Sequence, residues 1–292
     1  MSSAAHHGPN DYYIPDSSPW PIIAMLAVFL TLVGTALAIN EVGFGGWMIL
    51  AGFSLLVVMF YGWFGQVIKE NLSDQYNEQV DRSFRQGMFW FIASEVFFFL
   101  SFFGALYYIR VIALPWLGGE GYLGVSHELL HNQFVPNWPS AGPGELGGHF
   151  EAMGAWGIPA INTLILLTSG ATVTWAHWGL KEDDQKKLVL GLAATIALGV
   201  LFVVLQAYEY HHAYAELNLT LKSGAYGSTF YMLTGFHGFH VTMGSVMLMA
   251  ILARAMKGHF SLHNHFAFEA VAWYWHFVDV VWLGLFVFVY WM

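Results

Sequence analysis

Gly87 to Ile109 reads GMFWFIASEVFFFLSFFGALYYI, a run of membrane length whose one ionisable side chain, Glu95, lies near its middle. At ~1.5 Å rise per residue such a run crosses a hydrocarbon layer of ~30 Å, with Glu95 about 12 Å in from the Gly87 end. An acid at that depth costs roughly 2.5 to 3.5 kcal/mol, so a chain that keeps one points it at a partner, a water cavity or a lipid headgroup. The plainest alternative is a protonated Glu95 hydrogen-bonded to a neighbouring helix.

The composition around that run agrees with it. Of 292 residues, 57% are hydrophobic and 10% charged, and the mean hydropathy is +0.53. These values lie far from a soluble globule and describe an all-α polytopic membrane protein. Zero cysteines exclude disulfides, thiolate metal sites, c-type haem attachment and cysteine nucleophiles. A formal charge of -9 argues against a nucleic-acid partner. The opening MSSAAHHGPNDYYIPDSSPWP has neither Lys nor Arg, and no small-residue cleavage pattern after a short apolar run. It is expected to be a short extramembrane tail rather than a signal peptide.

Hydropathy predicts seven spans, at Pro21 to Ile39, Phe44 to Ile68, Gly87 to Ile109, Ile158 to Leu180, Leu188 to Tyr208, Ala225 to Ala253 and Phe266 to Trp291. The polar run KENLSDQYNEQVDRSFRQ between the second and third divides a two-helix part, residues 20–70, from a five-helix part, residues 79–292. Residues 114–157, rich in Gly and Pro, read as a long loop with a short helix near Ser126 to Asn132. Eight of the ten Lys and Arg follow even-numbered spans, so the N-terminus is expected in the cytoplasm or its equivalent and the C-terminus outside. The long loop then faces out. It carries Glu120, Glu128, Glu145 and Glu151 without Lys or Arg, a solvated cap that contacts a neighbouring subunit or an acidic face that steers a basic partner.

Among fourteen histidines only His237, His240 and His276 fall at mid-membrane depth. His237 and His240, three apart in TGFHGFHVTMGS, share a helix face, and His276 stands three from Asp279 in WYWHFVDVVWLGLF. Haem ligation needs paired imidazoles on facing helices, and at most one such pair is available. The other reading is interhelical hydrogen bonding, for which Gly235, Gly238 and Gly244 let helices approach, with His276 and Asp279 paired likewise. At the inner side Lys69 and Glu70 end the second span, and Arg254, Lys257 and His259 end the sixth, with His263 and Asn264 nearby. A basic pocket there suits lipid phosphate, Arg254 offering the planar fork; ordinary snorkelling of the basic chains is the alternative. No nucleophile or phosphate-cradling glycine loop is evident.

Several long motifs now fall into one pattern. SPWP, FWFIASEVFFF, TWAHWGL, LQAYEYHHA, YGSTFYMLTGFHGFHVTMGS and FAFEAVAWYWHFVDVVWLGLFVFVYW occur in this order, and the chain outside the tail and the long loop resembles subunit III of the haem-copper cytochrome c oxidases. The resemblance implies a chain with no haem or copper of its own, those centres lying in partner subunits. It implies packing on subunit I beside subunit II, in a complex that takes electrons from cytochrome c and pumps protons. Phospholipids, anionic and zwitterionic, would fill a V-shaped cleft between the first two helices and the other five, and the chain would support proton uptake by subunit I. Glu95 carries over as the buried carboxylate, His237 and His240 as its neighbours in the cleft, and Lys69, Arg254, Lys257 and His259 as headgroup contacts. Position 69 is Lys where Arg is common, which weakens a fixed phosphate contact. The loop of residues 114–157 is longer than in mitochondrial forms and points to a bacterial inner membrane. A quinol oxidase subunit resembles spans three to seven but typically lacks the first two; an independent proton-coupled transporter is the other class, without the inverted repeat expected of one.

Overall fold

A computed structural model of the chain describes residues 13–15, 17–121, 124–144, 148–262 and 264–292. Its elements run α1 Trp20–Ile39, α2 Gly45–Leu72, α3 Glu78–Tyr107, a π-helical turn Tyr108–Ala113, α4 Leu114–Leu117, α5 Val125–Leu130, α6 Ile158–Lys181, α7 Gln185–Ala215, α8 Gly224–Met256, α9 Phe266–Leu285 and a closing π-helical turn Phe286–Trp291. The described residues contain no strand. Among the described residues seven helices are long and apolar enough to cross a membrane, as hydropathy predicts.

One boundary differs substantially. The third span begins at Glu78, nine residues before the apolar run, and continues to Leu117. Polar residues do not break helices when the local chemistry favours the turn. Here Asn77 Oδ1 accepts from Val80 N at 3.0 Å, Glu78 and Asp81 sit in the first turn, and Arg85 Nε donates to Asp81 at 2.7 Å. Cap, dipole and i,i+4 pair together start the helix inside the polar run. Only residues 73–77 of that run are non-helical.

The chain divides into two units, Met1–Gln86 and Gly87–Met292. In the first, α1 and α2 form a hairpin held by small residues. A Cβ on Gly45 would lie 2.5 Å from the backbone nitrogen of Ala38, and one on Gly52 would lie 2.4 Å from Thr31 Oγ1. Packing of this closeness substitutes for the hydrophobic drive that lipid removes. At the hairpin's open end Glu70 gathers donors: Gln66 Nε2 at 2.7 Å, Tyr76 OH at 2.7 Å and Tyr13 OH at 3.2 Å. Burial pushes the Tyr76 hydroxyl above its ordinary pKa, and the Glu70 carboxylate beside it adds to the shift. Trp20 Nε1 donates to Gln66 Oε1 at 2.8 Å, closing the chain of bonds.

In the second unit α6 and α7 are joined by three residues, with Asp184 capping α7 by accepting from Lys186 N and Lys187 N. The core centres on Trp275 and Trp282 of α9, both essentially inaccessible. Trp275 fits a slot made by two absences of side chain, for Cβ atoms on Gly199 and Gly244 would approach its ring to 2.6 and 2.8 Å. Its Nε1 donates to Ser169 Oγ at 2.9 Å. Gly238 makes room for Gln206, 2.6 Å from where a Cβ would lie, and Gly235 has nothing nearer than 3.6 Å. These glycines of α8 therefore admit neighbouring side chains rather than neighbouring backbones. The helix expected near Ser126 to Asn132 is α5. The outer loop closes over the α7–α8 connection: Glu151 N donates to Leu217 O and Tyr226 N to Ser140 O, each at 3.0 Å. Gly224, at φ +66°, allows this approach, because a Cβ there would strike Ala141 O. Glu145 of that loop, and His263, lie outside the described residues.

Candidate functional site

Glu95 extends from α3 toward α8 and meets His240, whose Nε2 lies 2.9 Å from Glu95 Oε2. His240 Nδ1 lies 2.6 Å from the carbonyl oxygen of Phe236, one turn earlier in α8. A carbonyl only accepts, so Nδ1 carries a proton and donates it. The hydrogen bond at Nε2 then requires one further proton between Nε2 and Oε2, as imidazolium with carboxylate or imidazole with carboxylic acid. Either arrangement leaves the pair net neutral. The acid that looks so costly in the sequence thus enters the membrane as half of an uncharged couple.

Aromatic side chains build the walls. The His240 ring lies 5.0 Å from Phe99 edge-on, 6.0 Å from Phe98 and 6.3 Å from Tyr274, centroid to centroid. Phe98 also meets Phe236 at 5.0 Å. The phenylalanines of FWFIASEVFFFLSFF bridge α3 to α8 and α9, and their rings surround the pair with apolar surface. Tyr274 OH donates to His240 O at 3.3 Å beside the pair. Glu95 keeps 22% of its side chain exposed against 9% for His240, so the couple is open from the acid's side. A shallow cavity of about 390 Å³ lined by Tyr231, Met232, Gly235, Phe236 and Phe239 runs along the same helix.

His237 does not join them. It is fully buried, its Nε2 lies 3.2 Å from Val278 O, and its ring packs on Trp282 at 5.0 Å and Phe202 at 5.5 Å. The expectation that both histidines neighbour Glu95 in a cleft is corrected on this point. Residues three apart on a helix diverge by about 60°, enough to send His237 toward α7 and α9 while His240 faces α3.

The basic residues of the inner side are placed separately. Lys69 is exposed in the last turn of α2. Arg254, in the last turn of α8, is half-buried with its guanidinium 4.7 Å over the Phe260 ring. Lys257 is exposed at the C-cap, and His259 N donates to Arg254 O at 3.1 Å, holding the backbone around that arginine. His276 Nδ1 stands 3.9 Å from Asp279 Oδ2, nearby but beyond hydrogen-bond length.

Two arrangements escape the sequence reading. His177 of α6 converges with His265 and Glu269, the donor atoms lying within 4.8 Å of one another; Glu269 Oε1 is 3.3 Å from His265 Nε2 and 3.7 Å from His177 Nε2. Two imidazoles and a carboxylate form a donor set suited to a borderline-soft divalent ion. The i,i+4 spacing of His265 and Glu269 was a visible signal; the third member came from a different helix. Glu209, inaccessible on α7, accepts from Tyr290 OH at 2.7 Å, a contact between residues 81 positions apart that no local spacing announces.

The family model described as Cytochrome c oxidase subunit III matches residues 10–292. The chain is 41% identical over 287 residues to cytochrome c oxidase subunit 3 of Latimeria chalumnae, 40% over 286 residues to that of Danio rerio and 39% over 286 residues to that of Cyprinus carpio. In each case 98% of both chains is covered. With its seven spans, its aromatic-walled acid and its match over residues 10–292, this chain belongs to the cytochrome c oxidase subunit III family.

Proposed function

We propose that the chain is the lipid-binding, non-catalytic third subunit of a proton-pumping cytochrome c oxidase. In this reading it packs on subunit I beside subunit II, holds phospholipid between its two-helix and five-helix parts in a V-shaped cleft, and thereby sustains proton uptake and turnover stability. It is not itself a redox protein; haem and copper reside in the partners, and cytochrome c is the substrate of the complex. The membrane is the bacterial inner membrane, with the N-terminus cytoplasmic and the C-terminus periplasmic. Arg254 with Lys257, His259 and Lys69 contact headgroups.

The observation that carries this reading is the Glu95–His240 couple: a neutral polar pair walled by phenylalanine and open on the acid's side. Such a pair offers a lipid an apolar surface with one polar foothold. In the purified complex Glu95→Gln should leave assembly intact, abolish modification of this chain by a hydrophobic carbodiimide and change the retained phospholipid. Unchanged modification would remove Glu95 as the reactive group. Arg254→Ala should lower the retained anionic lipid, and equal lipid content by mass spectrometry would refute the headgroup assignment.

A further inference from the structure

One stripe of α9 is not covered by the described residues packed around it. Trp273, His276, Val280 and Leu283 are exposed and follow one another at intervals of three, four and three residues. That is the spacing with which one helix receives another along a seam. Three of the four would be content in lipid.

His276 would not. It lies ten residues into the span that begins at Phe266, about 15 Å along the helix axis, where hydrocarbon offers no hydrogen bond. Its side chain is 46% exposed, against 8% for Asp279 behind it. Among the described residues its Nε2 lies 3.3 Å from Thr174 Oγ1 and its Nδ1 3.9 Å from Asp279 Oδ2, and neither contact covers the outward side of the ring. Asp279 turns toward α6, where Gly170 leaves room for it: a Cβ there would lie 2.3 Å from that oxygen. An imidazole kept half-exposed at mid-membrane depth, inside an otherwise apolar seam, fits a protein partner and not an acyl chain. In helix seams a single polar position sets register.

We propose that the Trp273–His276–Val280–Leu283 stripe is the docking seam for a transmembrane helix of a neighbouring oxidase subunit that presents a hydrogen-bonding side chain to His276. The proposal rests on membership of a multi-subunit oxidase, and its occupant is distinct from the lipid expected at Glu95. Because the chain has no cysteine, Val280→Cys and Leu283→Cys variants each carry a single thiol of this chain to which a benzophenone maleimide attaches. Irradiation of the intact complex should join both positions to one and the same other polypeptide. Attachment to lipid alone, or to a second copy of this chain, would overturn the proposal.

His276→Leu should raise the fraction of this chain lost in detergent about threefold, the effect of one interhelical hydrogen bond. His276→Gln, which keeps a donor and an acceptor, should retain it. Equal loss from the two variants would also overturn the proposal. Failure of the lipid reading leaves these cross-links in place, and failure of the seam leaves carbodiimide labelling at Glu95 unchanged, so the two are separable.

Discussion

Removing His240 should harm the fold more than removing the whole Glu95–His240 couple. His240→Leu leaves Glu95 without its partner inside the phenylalanine walls of α3, where an unpaired acid costs roughly 2.5 to 3.5 kcal/mol at the helix centre. Glu95 keeps 22% exposure, so some solvation survives and about 2 kcal/mol is the working figure. Protonation of the lone acid limits the cost but leaves its hydrogen bond unmade. In the double variant Glu95→Leu, His240→Leu neither member of the couple is left unpaired, two leucines replace side chains of similar size, and the net change should fall below about 1 kcal/mol. The assay is a detergent titration of the purified complex that follows unfolding of this chain. The single variant should unfold about thirtyfold more readily than the wild type, a ratio that corresponds to about 2 kcal/mol. Equal stability of the single and double variants would refute the reasoning, because it would mean that the couple does not compensate for the buried acid.

Other parts of the structure lead to similarly direct expectations. Gly45→Val should loosen the α1–α2 hairpin by about 1 to 3 kcal/mol of overpacking, since a Cβ there meets Ala38 backbone at 2.5 Å; unchanged protease resistance of the hairpin would contradict this. Trp275→Phe loses the bond to Ser169 and also the indole atoms that fill the slot between Gly199 and Gly244, so thermal unfolding should register more than the roughly 0.6 to 1.7 kcal/mol of the hydrogen bond alone. Gly170→Ala should displace Asp279, whose Oδ2 lies 2.3 Å from the added Cβ, and lower the yield of assembled chain without altering the Glu95 site.

Much of the architecture was legible because lipid imposes a one-dimensional rule. Every backbone polar group must be satisfied within its own segment, so span length and hydropathy suffice to place seven helices. The helix that carries the third span starts nine residues before the apolar run because hydropathy measures solvent preference, whereas helix continuation depends on capping; the Asn77 cap and the Asp81–Arg85 pair were present in the letters but outweighed by polarity. The glycines of α8 were read as sites of helix approach. They turned out to accommodate Trp275 and Gln206, a distinction that depends on which neighbour lies opposite and not on the glycine itself.

Glu95 announced itself as the residue to explain, and composition alone placed it in hydrocarbon. Its partner was narrowed to two histidines but not chosen between them. The choice came from azimuth: about 60° of helix rotation separates the two side chains, and only the assembled bundle says which direction holds an acid and which holds Trp282 and Phe202. The convergence of His177 with His265 and Glu269, and the reach of Tyr290 to Glu209, follow the same rule. Local spacing governs what one helix shows on each face, while contacts between helices depend on rotation and depth, which are set by packing.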